Sequence, residues 1–463
     1  MVLYFEYVWL DKKSQIRSRT RVIDFKEFSN TSVNIKTIPK WIIQDNTEKL
    51  ESSFFSKEIE LRPKAFYKNP FNNKIEHIMS FIVLCDVWNI LDKPHVTNTR
   101  DSAIKIFEKD PLLVPKFSFE QEFYITRNFP LAHGIDINIP IAFNIDDTQI
   151  KQEGEYFCGN GSTKVFGREF VTEVFDLAIK MGLNVKEFYP SIGPSQWMIK
   201  IENKGIKACD ELILLRFILT RYSEKYNYII SFNPSLMKKN EETVLSYIKM
   251  LSNHPTHSEN ISAIPKARDY LKKTVGVWNN SACYMNVLSF IMEKPHGYSK
   301  IQRMIICLRD QHLDYVTETG RYNETRLNGL GNNSAYYSFT YGLDDPNASL
   351  SIPITTHKNG GGYIQDRRPG ANVDPYKISS LFFEQSILTN ILISPNSQQS
   401  ELSENSDEDD EILRRYFRNR NTNEESKDNS DNEEDENNEE NENNEENEDN
   451  EDNQESSESS DSS

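Results

Sequence analysis

Uneven charge distribution is the feature that most limits how this chain can fold. Residues 401–463 carry 27 acidic side chains against 5 basic ones, and 421–463 contain no aliphatic or aromatic residue. Such a stretch cannot bury enough apolar surface to offset its conformational entropy, so we expect it to be disordered. Folding is left to residues 1–400, whose net charge of +4 argues against a nucleic-acid-binding surface.

The cysteines and the hydropathy pattern indicate a cytoplasmic protein. The chain has 5 cysteines, widely spaced and never in a C-x-x-C pair. This pattern argues against a disulfide framework or a cysteine-rich zinc site, and favours a reducing compartment. No apolar run approaches the roughly 18 residues that a membrane-spanning helix needs, so we expect no membrane partner.

The first 90 residues have the pattern of β-strands. Val2–Leu10 and Gln15–Asp24 flank a polar turn and predict a hairpin. Leu61–Phe71 contains two prolines and predicts a loop, whereas the apolar run Ile78–Ile90 predicts a buried strand. The polar, proline-containing stretch Leu91–Arg100 indicates a domain boundary.

Strands and helices alternate in the rest of the body. Apolar residues at helical spacing predict helices over Lys164–Met181, Asp210–Tyr226, Tyr298–Gln311 and Asp374–Ile393. Strands are predicted over Lys116–Ile125, Gln196–Ile201 and Ser349–Ile354. Residues 235–274 are polar, have no clear period and suggest an insertion. The fold class is therefore α+β, with a small β domain before a larger mixed domain.

Two carboxylates in KFSFEQEFYI are candidate metal ligands. On a strand, Glu120 and Glu122 point to one face while Phe117, Phe119 and Phe123 point to the core. Two neighbouring carboxylates repel each other unless a cation lies between them, and Mg²⁺ or Mn²⁺ favours such oxygen ligands. An exposed polar face on a half-buried strand explains the spacing alone more simply.

The loop GGGYIQDRRPGANVDP, at 360–375, contains two candidate anion-binding residues, Arg367 and Arg368. Guanidinium groups bind carboxylates and phosphates in two-point geometry, and the glycines allow a ligand to approach the backbone. The alternative is that one arginine pairs with Asp366 or Asp374 and braces the loop. The spacing favours neither interpretation.

Ten segments, taken in order, resemble eukaryotic-type glutamine synthetase across residues 1–395. They are EYVWLD (6–11), RSRTRVI (17–23), TNTRDSAIKIFE (97–108), FSFEQEF (117–123), YFCGNGSTKVFGREFV (156–171), GPSQWMIKI (193–201), RFILTRY (216–222), VWNNSACYMN (277–286), NASLSIP (347–353) and GYIQDRRPGANVDPY (362–376). The resemblance implies a β-grasp domain at 1–92 and a catalytic domain at 93–395 with an insertion at about 235–274. An acidic tail follows at 396–463.

The resemblance also implies an activity and an assembly. The family joins ammonia to glutamate with ATP and Mg²⁺ or Mn²⁺, through a γ-glutamyl phosphate. Its active sites form between the subunits of a homo-oligomeric ring. Metal ions are needed because the charge of the transferred phosphoryl group must be neutralised.

This sequence departs from the family at the positions that carry the chemistry. By resemblance, Glu120 and Glu122 remain as metal ligands, whereas other family ligands are replaced by Ser191, Met198, Tyr284 and Gln365. Family catalytic residues are replaced by Asn332 and, in a loop that aligns poorly, Gln44. Candidate substrate-binding residues remain at Arg326, Arg367, Arg368 and Asn286.

Three hypotheses follow from this pattern. The first is a catalytically impaired homologue, a pseudoenzyme, that acts as a binding or assembly protein. The second is an active ATP-dependent amide ligase with replacement metal ligands from Asp344, Asp345 or the insertion. The third is a sensor that binds glutamate or nucleotide without turnover. The acidic tail either binds a basic protein partner or only increases solubility.

Overall fold

The computed structural model describes most of the body of the chain. The described residues are 2–24, 33–45, 58–72, 78–130, 136–143, 156–252, 265, 267–268, 280–293, 297–330 and 333–389. They fall within one compact unit, Met1–Leu392. The tail predicted at 396–463 and Asn332 lie outside the described residues.

A five-stranded sheet forms the N-terminal part. Its strands are β1 (Val2–Leu10), β2 (Ile16–Asp24), β3 (Trp41–Gln44), β4 (Glu58–Lys68) and β5 (Ile78–Asn89). Their order is β2-β1-β5-β4-β3, in which only β1 and β5 run parallel. The predicted hairpin is confirmed, and the carboxylate of Asp11 closes its turn by accepting from the backbone N–H groups of Lys13 and Gln15.

The loop predicted at Leu61–Phe71 is wrong, because β4 runs through most of it. Pro63 cannot donate a hydrogen bond to a neighbouring strand, which is why the sequence suggested a loop. The strand accommodates this residue at an irregularity, where its register with β5 shifts between Pro63 and Ala65. The predicted buried strand at Ile78–Ile90 is confirmed as β5.

A nine-stranded sheet forms the larger part, with β6 (Lys116–Pro130) at its centre. The other strands are β7 (Asp136–Pro140), β8 (Val185–Pro190), β9 (Gln196–Lys204), β10 (Ile229–Ser231), β11 (Cys283–Leu288), β12 (Tyr341–Leu343), β13 (Leu350–Ile352) and β14 (Ile364–Asp366). Strand β6 pairs antiparallel with both β9 and β11. The central position of β6 places its side chains between those of two neighbours.

Helices lie between these strands along the chain and pack against them and against one another. They are α1 (Thr99–Phe107), α2 (Arg168–Met181), α3 (Ile206–Tyr226), α4 (Leu236–Ser252), α5 (Phe290–Glu293), α6 (Gly297–Asp310), α7 (His312–Val316), α8 (Ile354–Lys358) and α9 (Pro375–Phe382), which continues as a π-helix at Phe383–Leu388. Helix α2 begins later than predicted because Gly167 precedes it with φ 83°, a conformation that glycine favours. A Cβ there would also lie 2.5 Å from Ile125. No helix within the described ranges is long and apolar enough to cross a membrane.

Part of the predicted insertion at 235–274 is helical. Helix α4 covers its first half, and Asn240 on this helix donates a hydrogen bond of 2.6 Å to the carbonyl of Asn138 at β7. Most of 253–279 lies outside the described residues. The polar composition concealed α4 because much of its surface is exposed.

A buried ion pair joins α1 to α3. Arg100 donates to both carboxylate oxygens of Asp210, at 2.8 and 2.9 Å, and Tyr376 donates to Asp210 at 2.8 Å. Asp86, on β5 of the small sheet, lies 4.0 Å from Arg100. Because all these groups are buried, removing one charge of the pair would leave the other buried without a partner and would weaken the packing around it.

We expect Asp210→Asn to lower the free energy of unfolding by about 3–5 kcal/mol, because it leaves the Arg100 guanidinium buried without its main anion. Asp101→Asn is the control, since Asp101 only pairs with the exposed Lys105 and should cost no more than about 1 kcal/mol. Urea denaturation of both variants measures the difference. Equal stabilities of the two variants would contradict a structural role for the buried pair.

Candidate functional site

The two carboxylates of the EQE segment lie on one face of β6. Phe117, Phe119 and Phe123 are fully buried on the opposite face, as the alternation predicted. Glu122 is 6% exposed and Glu120 is half-buried, so neither belongs to an open polar face. The simpler interpretation, an exposed strand face, is therefore wrong.

The Glu122 carboxylate is held by two protein donors. The Ser191 hydroxyl donates to Oε1 at 2.6 Å, and the backbone N–H of Ala282 donates to Oε2 at 2.9 Å. Met198 lies directly across from Glu122 in the register of β6 and β9. Burial raises the pKa of Glu122, although these hydrogen bonds and the charges of Arg326 and Arg367 oppose that rise.

The Glu120 carboxylate is held by three protein donors. Oε1 accepts from Asn286 Nδ2 at 2.8 Å and from Lys200 Nζ at 3.1 Å, and Oε2 accepts from Gln365 Nε2 at 3.2 Å. Tyr284 lies across from Glu120 in the register of β6 and β11. Each of the two carboxylates therefore has both oxygens bonded to the protein.

Sequence reasoning missed Lys200. Its ammonium lies between Glu120 and Glu187, which it approaches at 3.1 and 3.3 Å. Burial disfavours the charged ammonium, but these two carboxylates outweigh burial and raise the pKa of Lys200. The sequence could have identified Lys200 only if the pairing and register of the strands containing QWMIKI and FSFEQEF had been known.

Arg367 lies beside the Glu120 group and is braced by the protein. Its Nε donates to the Pro346 carbonyl at 3.0 Å, and Nη1 donates to Gln365 Oε1 at 2.7 Å. Its guanidinium lies 4.2 Å from the centre of the Tyr284 ring, which is within the range of a cation–π contact. Burial raises the pKa of Tyr284, so its hydroxyl is neutral at pH 7.

Arg326 and Arg368 are fully buried and bonded to the protein. Arg326 donates to Asn323 at 2.7 Å, to the carbonyls of Arg367 and Arg368, and to Asn333 at 3.3 Å. Burial lowers the pKa of Arg326 to about 10. Arg368 makes two bonds of 2.9 Å to Asp366, which confirms the bracing alternative for one arginine of this loop. A substrate-binding role for either residue stays a prediction.

Known proteins and a family description match this chain. The description "Glutamine synthetase, catalytic domain" matches residues 100–244. A "Putative glutamine synthetase" of Acanthamoeba polyphaga mimivirus is 29% identical over 382 residues, covering 82% of this chain and 92% of that protein. The glutamine synthetase of Kluyveromyces lactis is 27% identical, covering 82% and 87%. A cytosolic isozyme of Daucus carota is 28% identical, covering 83% and 94%.

The chain is similar to glutamine synthetases over 82–83% of its length. Glutamine synthetases generally use ATP and divalent metal ions, so the EQE site can be tested against that requirement. Ser191 and Met198 lie beside Glu122, while Tyr284 and Gln365 lie beside Glu120. The four positions at which the sequence comparison predicted lost ligands therefore surround the two retained carboxylates.

The residues around the EQE pair do not fit two or three divalent ions. Within the described part of the chain, no three His, Cys, Asp or Glu side chains gather where they could hold a metal ion. The side chains beside the pair are a hydroxyl, a thioether, a neutral phenol and an amide, none of them charged, and protein donors are bonded to the carboxylate oxygens. Asp344 and Asp345, suggested as replacements, accept backbone hydrogen bonds from Ile354 and Asn347.

The two predicted catalytic positions are Gln44 and Asn332. Gln44 is exposed at the end of β3, paired in register with Glu58 in the small sheet. Asn332 lies outside the described residues. Neither role is tested by the structure of one chain, and both stay predictions.

We expect Ser191→Ala to lower the free energy of unfolding by about 1–3 kcal/mol, because it leaves a buried carboxylate oxygen without its donor. Ser162→Ala, at an exposed position, is the control and should change it by no more than about 0.5 kcal/mol. Chemical denaturation at pH 7 compares the two. If Ser191→Ala is as stable as the unaltered chain, Glu122 does not depend on this hydroxyl.

Proposed function

We propose that this glutamine synthetase homologue keeps the family's fold but is catalytically impaired, and that it acts as a binding or assembly protein. The observation that carries this proposal is the bonding of the EQE pair. Glu120 is held by Lys200, Asn286 and Gln365, and Glu122 by Ser191 and the Ala282 backbone. Such contacts are expected where protein side chains, rather than metal ions, neutralise and bond the two carboxylates.

The chemistry of phosphoryl transfer explains why such a site should be slow. The reaction depends almost entirely on positioning and on neutralising charge as it moves. Loss of one electrostatic element typically costs ~10²–10³ in rate, and this site lacks several. Arg367 still lies beside the cluster, but it is bonded to Pro346 and Gln365.

The assembly part of the proposal extends the family resemblance to this chain. The five-stranded sheet at β1–β5, with β1 parallel to β5, supports a β-grasp domain at 1–92, with the catalytic-type domain at 93–395. Glutamine synthetases are generally oligomeric, so we propose a homo-oligomer. Residues 396–463 would bind a basic partner in a salt-sensitive way.

A ligand-binding role without turnover is the second candidate. A cavity of about 110 Å³ lies beside Glu120, lined by Lys116, Ser118, Lys200, Glu202, Asn286, Leu288 and Tyr363. The Ser118 hydroxyl and Asn286 Oδ1 are buried there and have no hydrogen-bond partner among the described residues. Unpaired buried polar atoms favour a polar ligand group in this cavity. A rise in Tm with ATP or glutamate, without hydrolysis, would support this sensor role.

We expect metal-dependent ATP turnover with glutamate and ammonium to be at least ~10²–10³-fold below that of an active synthetase measured alongside. Glu120→Ala should cause no further loss, because Glu120 holds no catalytic ion in the unaltered chain. Phosphate release with Mg²⁺ and with Mn²⁺ is the measurement. Turnover near that of the active enzyme, abolished by Glu120→Ala, would replace this proposal with the active-ligase hypothesis.

A further inference from the structure

We propose that the Lys200 ammonium takes the place of a divalent cation at Glu120, so that the site carries its own cation and excludes a metal ion. This inference rests on the proposed function, because it explains how the EQE pair persists without a metal. It concerns the positive charge of the Lys200 side chain. Its test reads metal binding and stability rather than turnover.

The strand register places Lys200 at this position. Lys200 on β9 is the direct neighbour of Glu120 on β6 and of Glu187 on β8. Its Nζ lies 3.1 Å from Glu120 and 3.3 Å from Glu187, so one ammonium bridges carboxylates from two strands. A cation between two carboxylates removes the repulsion that they would otherwise exert on each other.

The other contacts of Glu120 leave little room for a second cation. Asn286 and Gln365 donate N–H groups to the same carboxylate, and a metal ion would have to displace or reorient both amides. The amide oxygen of Asn286 has no partner within the described structure. Asn286 therefore presents its donor, not its acceptor, to Glu120, as an ammonium-bound carboxylate requires.

The charges around the pair also argue against a metal ion. Glu120, Glu122 and Glu187 contribute three negative charges, which the three positive charges of Lys200, Arg326 and Arg367 already balance. A divalent ion would leave a large positive excess beside fully buried Arg326. Because a buried, uncompensated charge is costly, the site resists a metal ion while Lys200 is present.

The alternative is that Lys200 and Glu120 form an ordinary cross-strand ion pair unrelated to a cation position. Such a pair would add a little stability, and its removal would create no metal affinity. The substitution Lys200→Met separates the two interpretations, because it keeps most of the side-chain length and removes the charge. If Lys200 stands in for a cation, its loss should open a cation site made by Glu120 and Glu187.

The experiment uses the full chain and four proteins: unaltered, Lys200→Met, Glu120→Gln and the double variant Lys200→Met/Glu120→Gln. Bound Mn²⁺ is counted by electron paramagnetic resonance, and Tm is measured in EDTA and with Mn²⁺. The acidic residues 401–463 will bind Mn²⁺ weakly in all four, so only differences between variants are interpreted. Comparing proteins that differ at Glu120 isolates binding at this site.

We expect the unaltered chain and Glu120→Gln to bind the same amount of Mn²⁺. Lys200→Met should lose roughly 2–4 °C of Tm in EDTA, regain it with Mn²⁺ and bind one more Mn²⁺ than the double variant. The inference is overturned if Glu120→Gln removes a Mn²⁺ from the unaltered chain, or if Mn²⁺ neither binds to nor stabilises Lys200→Met.

The comparison of the unaltered chain with Glu120→Gln tests the exclusion of a metal ion even if Lys200→Met fails to fold. Equal Mn²⁺ binding then supports exclusion of the metal, and unequal binding overturns it. Failure of this inference is distinguishable from failure of the proposed function. Mn²⁺ bound at Glu120 without ATP turnover overturns only the inference, whereas rapid turnover overturns the proposed function.

Discussion

The alternation of side chains along β6 ties the candidate site to the hydrophobic core. Phe117, Phe119 and Phe123 are fully buried on one face, and Glu120 and Glu122 occupy the other. Because the two faces belong to one strand, any register that buries the phenylalanines also places the carboxylates together. The geometry of the pair is thus maintained by hydrophobic packing, whether or not the carboxylates do chemistry.

The same constraint explains which parts of the molecule could be predicted from the sequence. The β1–β2 hairpin and the faces of β6 follow from local alternation, and both were predicted correctly. Strand β4 was missed because the local signal of Pro63 favours a loop, and only pairing with β5 accommodates that residue at a shift in register. Lys200 was missed because its importance depends on which strand lies beside β6.

The buried arginines show a different limit of sequence reasoning. Their retention suggested substrate binding, because guanidinium groups recognise carboxylates and phosphates. Arg326 instead donates hydrogen bonds to the carbonyls of Arg367 and Arg368, and Arg368 donates to Asp366. These bonds hold the DRR loop against the 323–326 turn. Retention of the two arginines is therefore expected from folding alone, even where catalysis is lost.

The changes at the EQE site form a consistent physical set. Removing surrounding acids while two carboxylates remain relieves repulsion, but it also removes the reason for a metal ion to bind. The remaining carboxylates then need donors, which Ser191, Gln365 and Lys200 supply. A carboxylate held by such donors depends less on ions and is less able to position a phosphoryl group through them. Under the proposed function, stability and loss of catalysis arise from the same contacts, so the fold can persist where the chemistry does not.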